Sequence, residues 1–209
     1  MEGKRQEIVA RTFDLYRQYG IKSVSMDDVS RELGMSKKTL YQYVKDKNEL
    51  VDLVLLYLKQ FLKDSFSVFH DESLNAIEQH FEFRKRMEPK TGRYQPTFLF
   101  DLKKYYPAHL QEVKNVKIDT IYNANISNLK KGKQEGYYRE DIDESIIARI
   151  NVSYHVYTFD PGNGLFTDAE VTDHKTFAEV YKYHFRGICT EEGMKELQRL
   201  FCDNNITND

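Results

Sequence analysis

Lys37, Lys38, Thr39, Tyr41, Gln42 and Tyr43 fall within one stretch of seven residues and carry the side chains best equipped for chemistry in this chain. That chemistry is recognition rather than bond-making. Lysine and tyrosine hold phosphate oxygens, while lysine, threonine and glutamine read base edges. Lysine donates to guanine, and glutamine pairs in a bidentate manner with adenine. Base contacts are therefore expected from Lys38, Thr39 and Gln42. Phosphate contacts are expected from Ser25, Ser36, Lys37, Tyr41, Tyr43 and Lys47. The two serines stand where helices should begin, and backbone N–H groups and the helix dipole favour an anion there. One of the two tyrosines could instead face a core. A solvated basic helix would also carry such lysines, so the weight rests on the elements that hold the group.

Those elements are legible on either side. In SMDDVSRELGMSKKTLYQYVKDKNEL, residues 25–50, Ser25 caps one helix with Asp28 in the place of the capping-box acid. Val29 and Leu33 share a face, and Ser30 is small where another helix could cross. Gly34 follows the last apolar residue, where a helix ends in the left-handed conformation that glycine tolerates best. Ser36 then caps a second helix whose inward stripe is Leu40 and Val44. One helix braces and the next presents its outer face, which is the helix–turn–helix arrangement for the major groove.

Residues 5–58, RQEIVARTFDLYRQYGIKSVSMDDVSRELGMSKKTLYQYVKDKNELVDLVLLYL, resemble the N-terminal domain of TetR-family transcriptional regulators. The most specific part is GMSKKTLYQYVKDKNEL, from Gly34 to Leu50, with Val44 where the family usually has phenylalanine. The resemblance implies that Tyr43 and Lys47 clamp the DNA backbone. QEGYYREDID, residues 134–143, also resembles the family at the junction before its dimerising helices. On that basis 144–159 and 173–188 are the helices that pair into a four-helix interface of a homodimer. Their apolar residues are Ile146, Ile147, Ile150, Tyr154 and Tyr157 in the first, and Phe177, Val180, Tyr181, His184 and Phe185 in the second. Read from the residues alone, both helices could equally be buried within one subunit.

The wider chain fits an all-α protein of 209 residues with an expected DNA-binding head at 1–48 and a ligand-sensing and dimerisation body at 49–209. Net charge is −2, yet residues 1–50 hold ten Lys and Arg against eight Asp and Glu, so positive charge gathers where the motif lies. Apolar periodicity places helices at 3–19, from 46 through about 69, at 75–88, 97–106, 109–134, 145–159, 173–188 and 191–201, with no persistent alternation of period two. Gly20 and Gly136 should end two of them, Asp46 and Glu49 should open the fourth, Pro89 should close the fifth, and KTGRYQP and DPGNG should be loops. No run of about 18 apolar residues argues for a membrane span, and MEGKRQEIVA lacks the apolar core of a secretory signal, so the expected compartment is the cytoplasm. Cys189 and Cys202 are too few for a disulfide framework.

In the body, His80, Phe81, Arg84, Phe98, Tyr122, Asn125, Tyr154 and His155 combine aromatic walls with a few polar groups, as small-molecule pockets do. Aromatic residues at helical spacing are also what a plain core contains. No HExxH, CxxC or phosphate-binding glycine loop occurs, no nucleophile–base pair can be read, and no cofactor or metal is expected. The expected protein is thus a ligand-responsive regulator, by resemblance a repressor, that binds a palindromic operator as a homodimer and is not an enzyme. The rival readings are a helical ligand-binding module, or an enzyme, whose head does not bind DNA.

Overall fold

The computed structural model describes residues 2–87, 96–158, 164–167, 170 and 173–203. Among them the chain is helical, with one isolated antiparallel bridge between Tyr138 and Cys189. Packing gathers it into two compact units, Met1–Lys63 with Thr91–Val116, and Asp64–Lys90 with Lys117–Asp209.

The first unit starts with α1, Glu2–Tyr19, which buries Ile8, Val9, Phe13 and Tyr16 along one stripe and stops at Gly20. Next come α2, Met26–Glu32, and α3, Lys37–Leu40. The Ser25 hydroxyl accepts the Asp28 N–H at 3.2 Å while the Asp28 carboxylate accepts the Ser25 N–H at 2.9 Å, completing the capping box. Gly34 has φ +64°, the left-handed turn that redirects the chain toward α3. The following helix is α4, Lys47–Phe66. Asp46 caps it as expected by accepting the Glu49 N–H at 2.9 Å, but the Glu49 carboxylate reaches back to the Lys45 N–H rather than to that of Asp46. Leu50, Val51, Val54 and Leu58 bury the inner face of α4 against Val29, Leu40 and Val44.

The same core includes later residues. Phe98 and Leu102 of α6, Pro96–Tyr105, are buried in it, and Tyr106, Leu110 and Val113 pack against it. The buried Asp101 carboxylate accepts the Lys22 N–H at 2.7 Å, tying α6 to the link between α1 and α2. Tyr106 separates α6 from α7, Pro107–Gln134. The proline opens that helix two residues before the expected start, because its missing N–H is one that a first turn leaves unpaired anyway.

The second unit begins with a 3₁₀ turn at Ser67–His70, which follows directly on α4, and then α5, Ala76–Met87. Asn75 caps α5, its side-chain oxygen accepting the Ile77 and Glu78 N–H groups. After α7 come α8, Glu144–Ser153, α9, His174–Ile188, and α10, Glu191–Asp203. The helix expected over 145–159 keeps α geometry only to Ser153, and Tyr154–Thr158 form a π turn. Pro89, the segment 90–95 and residues 159–163 lie outside the described residues.

One polar hub organises this unit. The Asn128 side-chain oxygen faces His80 Nε2 at 3.0 Å and accepts the Tyr138 hydroxyl at 3.1 Å, and its amide donates to the Ala76 carbonyl and to Gln79. All four hydrogen-bonding positions of a buried amide are thereby used, which is how such a group avoids its desolvation cost. The Tyr138 ring lies directly on Gly132 of α7, and a Cβ there would meet it at 2.1 Å. Because that ring is fully buried, it has nowhere to go. Gly132→Ala should therefore lower the unfolding free energy by about 1–3 kcal/mol, read as a lower urea midpoint at unchanged slope. An unchanged midpoint would contradict this packing.

Candidate nucleic-acid interface and cavity

The segment carrying the candidate DNA contacts is a single α turn that tightens. Leu40 and Tyr41 donate N–H groups to the carbonyls four residues back, while Gln42 and Tyr43 donate to those three residues back. Ser36 caps it by accepting the Thr39 N–H at 3.0 Å, and the hydroxyls of Ser36 and Thr39 lie 2.8 Å apart. Leu40 and Val44 point into the core, at 0% and 2% exposure, which turns positions 37, 38, 41 and 42 outward.

The nine candidates differ in what they already hold. Lys38 and Gln42 are exposed, with no hydrogen bond from their side chains among the described residues. Tyr41 is exposed, whereas Tyr43 is half-buried against the core, so the paired tyrosines divide as their spacing allows. The Lys37 ammonium pairs with the Asp27 carboxylate at 2.9 Å, which raises its pKa. The Ser25 hydroxyl donates to Asp28 Oδ2 at 2.6 Å, so the carboxylate of the capping box already sits at the α2 N-terminus. Asp28 also takes an ion pair from Arg31. Lys47 is the most committed: its ammonium donates to the Val24 carbonyl at 2.7 Å and lies 3.4 Å from that of Lys22. Partial burial, with the Lys22 charge nearby, lowers its pKa. Its position is that of a brace between α4 and the α1–α2 link, a role its sequence position did not reveal.

The second unit holds a small, partly open cavity of about 40 Å3. Its walls are Phe66, Phe69, Phe83, Tyr154, Val180 and Tyr181. Its polar groups are His80, His155, His184, Asn125 and Asn151. Of the eight pocket candidates, the structure brings His80, Asn125, Tyr154 and His155 together here. Phe81 packs edge-on against Phe201 at 5.2 Å, and the Tyr122 hydroxyl lies 3.2 Å from Ser145 Oγ. Arg84 is half-buried on α5 outside the lining, and Phe98 belongs to the other unit, edge-on to Phe13. The residues from α9 were visible in the sequence, but as apolar positions of an expected interface helix. That helix in fact turns Tyr181, His184 and Phe185 inward and leaves Tyr183 outside. The Phe177 side chain is outside the described residues.

Burial sets the charge of this cavity. It pushes the pKa of His80 down to about 3 and those of His155 and His184 to about 4, with the neighbouring imidazoles and Lys117 adding to the effect. The Lys117 ammonium donates to the His155 carbonyl at 2.7 Å, supplying a partner at the π turn. Cys189 is buried and its thiol is pushed up to about 12, which leaves it unreactive, while Cys202 is exposed.

The family model described as bacterial regulatory proteins, tetR family, matches residues 8–54. The chain is 28% identical over 195 residues to the uncharacterized HTH-type transcriptional regulator YvaF of Bacillus subtilis, covering 90% of this chain and 96% of that one. Its fold is similar to that of the TetR family protein CprB from Streptomyces coelicolor, solved in complex with its biological operator sequence, with a TM-score of 0.62 at 15% identity over 94% of each chain. A TetR transcriptional regulator from Chloroflexus aurantiacus gives a TM-score of 0.62 at 16% identity, covering 90% of this chain and 97% of that one. No described helix is long and apolar enough to cross a membrane.

Two stability measurements follow from these contacts. Lys47→Met should destabilise the protein by about 1 kcal/mol through its lost bond to Val24, whereas Lys38→Ala and Gln42→Ala should stay within about 0.5 kcal/mol of the parent. Equal losses for all three would mean that Lys47 does not brace the fold. The buried imidazoles predict a pH dependence of definite sign. Their folded pKa values lie below the unfolded 6.5, so the unfolded chain binds more protons between the two. Stability is therefore complete above about pH 6.5 and falls as pH drops toward the folded values, by up to about 1.4 kcal/mol per pH unit for each imidazole. Urea unfolding across this range should show the slope, and His184→Gln should remove one imidazole's share. Stability that is flat through the range would mean that the rings are not held neutral.

Proposed function

We propose that this chain, which belongs to the TetR family of bacterial regulatory proteins, is a ligand-responsive transcriptional repressor that binds a palindromic operator as a homodimer. The observation that carries the reading is the outward face of α3, where Lys38 and Gln42 stand exposed and uncommitted beside Tyr41 on a turn capped at Ser36 and anchored by Leu40 and Val44. Side chains free to reach base edges, on a backbone that is not free to move, are what direct readout needs. Lys37 and Thr39 flank them, with Ser25, Ser36, Tyr43 and Lys47 at the edges as backbone contacts. Repression is the sign that the family resemblance implies. The division into a head at 1–48 and a sensing and dimerising body at 49–209 belongs to the same reading.

Dimerisation has its own support. Ile146, Ile150 and Tyr157, on α8 and the π turn after it, are 54%, 40% and 58% exposed, and Tyr183 of α9 is 73% exposed. Exposed apolar side chains on paired helices are what an interaction surface would present. They lie on the two helices that the resemblance assigns to pairing. In a dimer, two α3 faces would enter successive major grooves about 34–36 Å apart. A ligand in the body acts by preferring one of two conformations of the dimer, and its effect is set by that preference.

Binding to labelled DNA tiling the protein's own promoter, at two salt concentrations, tests the reading. A specific, salt-sensitive site is expected. Gln42→Ala should lose about 1–3 kcal/mol of discrimination at one base pair, while Lys37→Ala should weaken all sequences alike and reduce the salt slope. Ile146→Asp combined with Ile150→Asp should yield a monomer by sedimentation and lose the specific complex. Ligand-free protein without specific binding at moderate salt would sink the proposal.

A further inference from the structure

We infer that the cavity of the body takes an uncharged, single-ring aromatic molecule bearing a hydroxyl or carbonyl, with the ring against the phenylalanine cluster and the polar atom held by the imidazoles of His155 and His184. This inference rests on the regulator reading, of which it names the effector class.

The phenylalanines supply the apolar half of the site. Phe83 lies 4.5 Å from Phe66 and 5.3 Å from Phe69, centroid to centroid, with tilted planes. Rings in this arrangement leave faces and edges to which a further aromatic ring can add. The polar half is a set of groups not used by the fold. His80 spends its Nε2 on Asn128. Asn125 spends its amide on the Ile121 carbonyl and its oxygen on Asn151. The His155 ring, by contrast, makes no hydrogen bond among the described residues, and His184 has only a long approach of 3.5 Å from the Asn151 amide. His155 sits in the π turn, where one extra residue per turn re-aims side chains, and such turns gather at functional sites.

The charge of the ligand follows from what is missing from the walls. Among the described lining residues there is no Asp, Glu, Lys or Arg, and the Lys117 ammonium beside His155 is already bound to that residue's carbonyl at 2.7 Å. A charged ligand would leave water for walls that offer no free charge of opposite sign, which is a costly step. Burial keeps the imidazoles neutral, so they do not supply a cation for an acid. A neutral imidazole offers one donor and one acceptor, which suits a hydroxyl or a carbonyl. The space, about 40 Å3, admits groups of water size as it stands, so a ring enters by displacing side chains such as Tyr154, and larger fused systems are disfavoured.

The test is calorimetric titration of the full chain, without DNA, at about pH 8. The probes are p-cresol, toluene, 4-methylbenzoate and 4-methylbenzylammonium, which share one ring and differ in polarity and charge. p-Cresol should bind about tenfold or more tighter than the others. His155→Phe and His184→Phe should each reduce that advantage while leaving toluene binding unchanged, and His155→Gln should retain part of it. Either ion binding as tightly as p-cresol, no binding of any probe, or p-cresol binding that persists in both Phe variants would overturn the inference. The ranking of probes on the parent protein decides the matter even if a variant fails to fold. Operator binding is measured separately. Its loss alongside the expected ranking would sink the regulator reading alone, and its presence without p-cresol binding would sink this one alone.

Discussion

A helix of one turn does not hold itself together, since nucleation fixes several residues for each hydrogen bond gained. The α3 segment exists because Leu40 and Val44 are buried and Ser36 satisfies its first turn. Everything proposed for the outer face depends on that inner one. The geometry of Lys38 and Gln42 is inherited from a core shared by α1, α2, α4 and α6, and the left-handed Gly34 sets the angle at which α3 leaves α2. Val44, smaller than the phenylalanine usual in the family, still fills its place at 2% exposure.

The second unit is governed by a different constraint, the pairing of polar groups without water. Asn128 uses its whole hydrogen-bonding capacity to join α5, α7 and the Tyr138 segment. With such a hub in place, neighbouring polar groups that remain unused become informative. His155 and His184 are neutral by burial and have few partners, and they lie among phenylalanine rings rather than beside carboxylates.

Much of this was legible in the sequence where the physics is local. The capping box at Ser25 and Asp28, the left-handed Gly34, the cap at Ser36 and the inward stripe of α4 are each fixed by a few neighbouring residues. What was not legible depends on distant partners. Lys47 reads as an exposed cation until Val24 is brought beneath it. Phe98 reads as a body aromatic, yet it packs on Phe13 of α1. The π turn at 154–158 leaves no mark in a helical apolar pattern, but it decides which of Tyr154, His155 and Tyr157 faces inward. α9 shows the same limit, because periodicity identifies an apolar face without saying whether a ligand, a core or a second subunit meets it.

The hydrogen bond from the Lys22 amide to Asp101 joins residues 79 positions apart in sequence, and Phe98 and Leu102 are buried beside it. The head is therefore modular in appearance but not in construction. A chimera that transplants only residues 1–63 would carry the proposed reading face of α3 and leave behind Phe98 and Asp101, which hold α1 and the link that follows it. Exchange of operator specificity between such proteins is then simplest by replacing outward side chains of α3 in place. Grafting of whole heads would have to carry 91–116 with them or supply a matching surface, which couples the history of the proposed DNA-reading segment to that of a segment that touches no DNA in the proposed mode of binding.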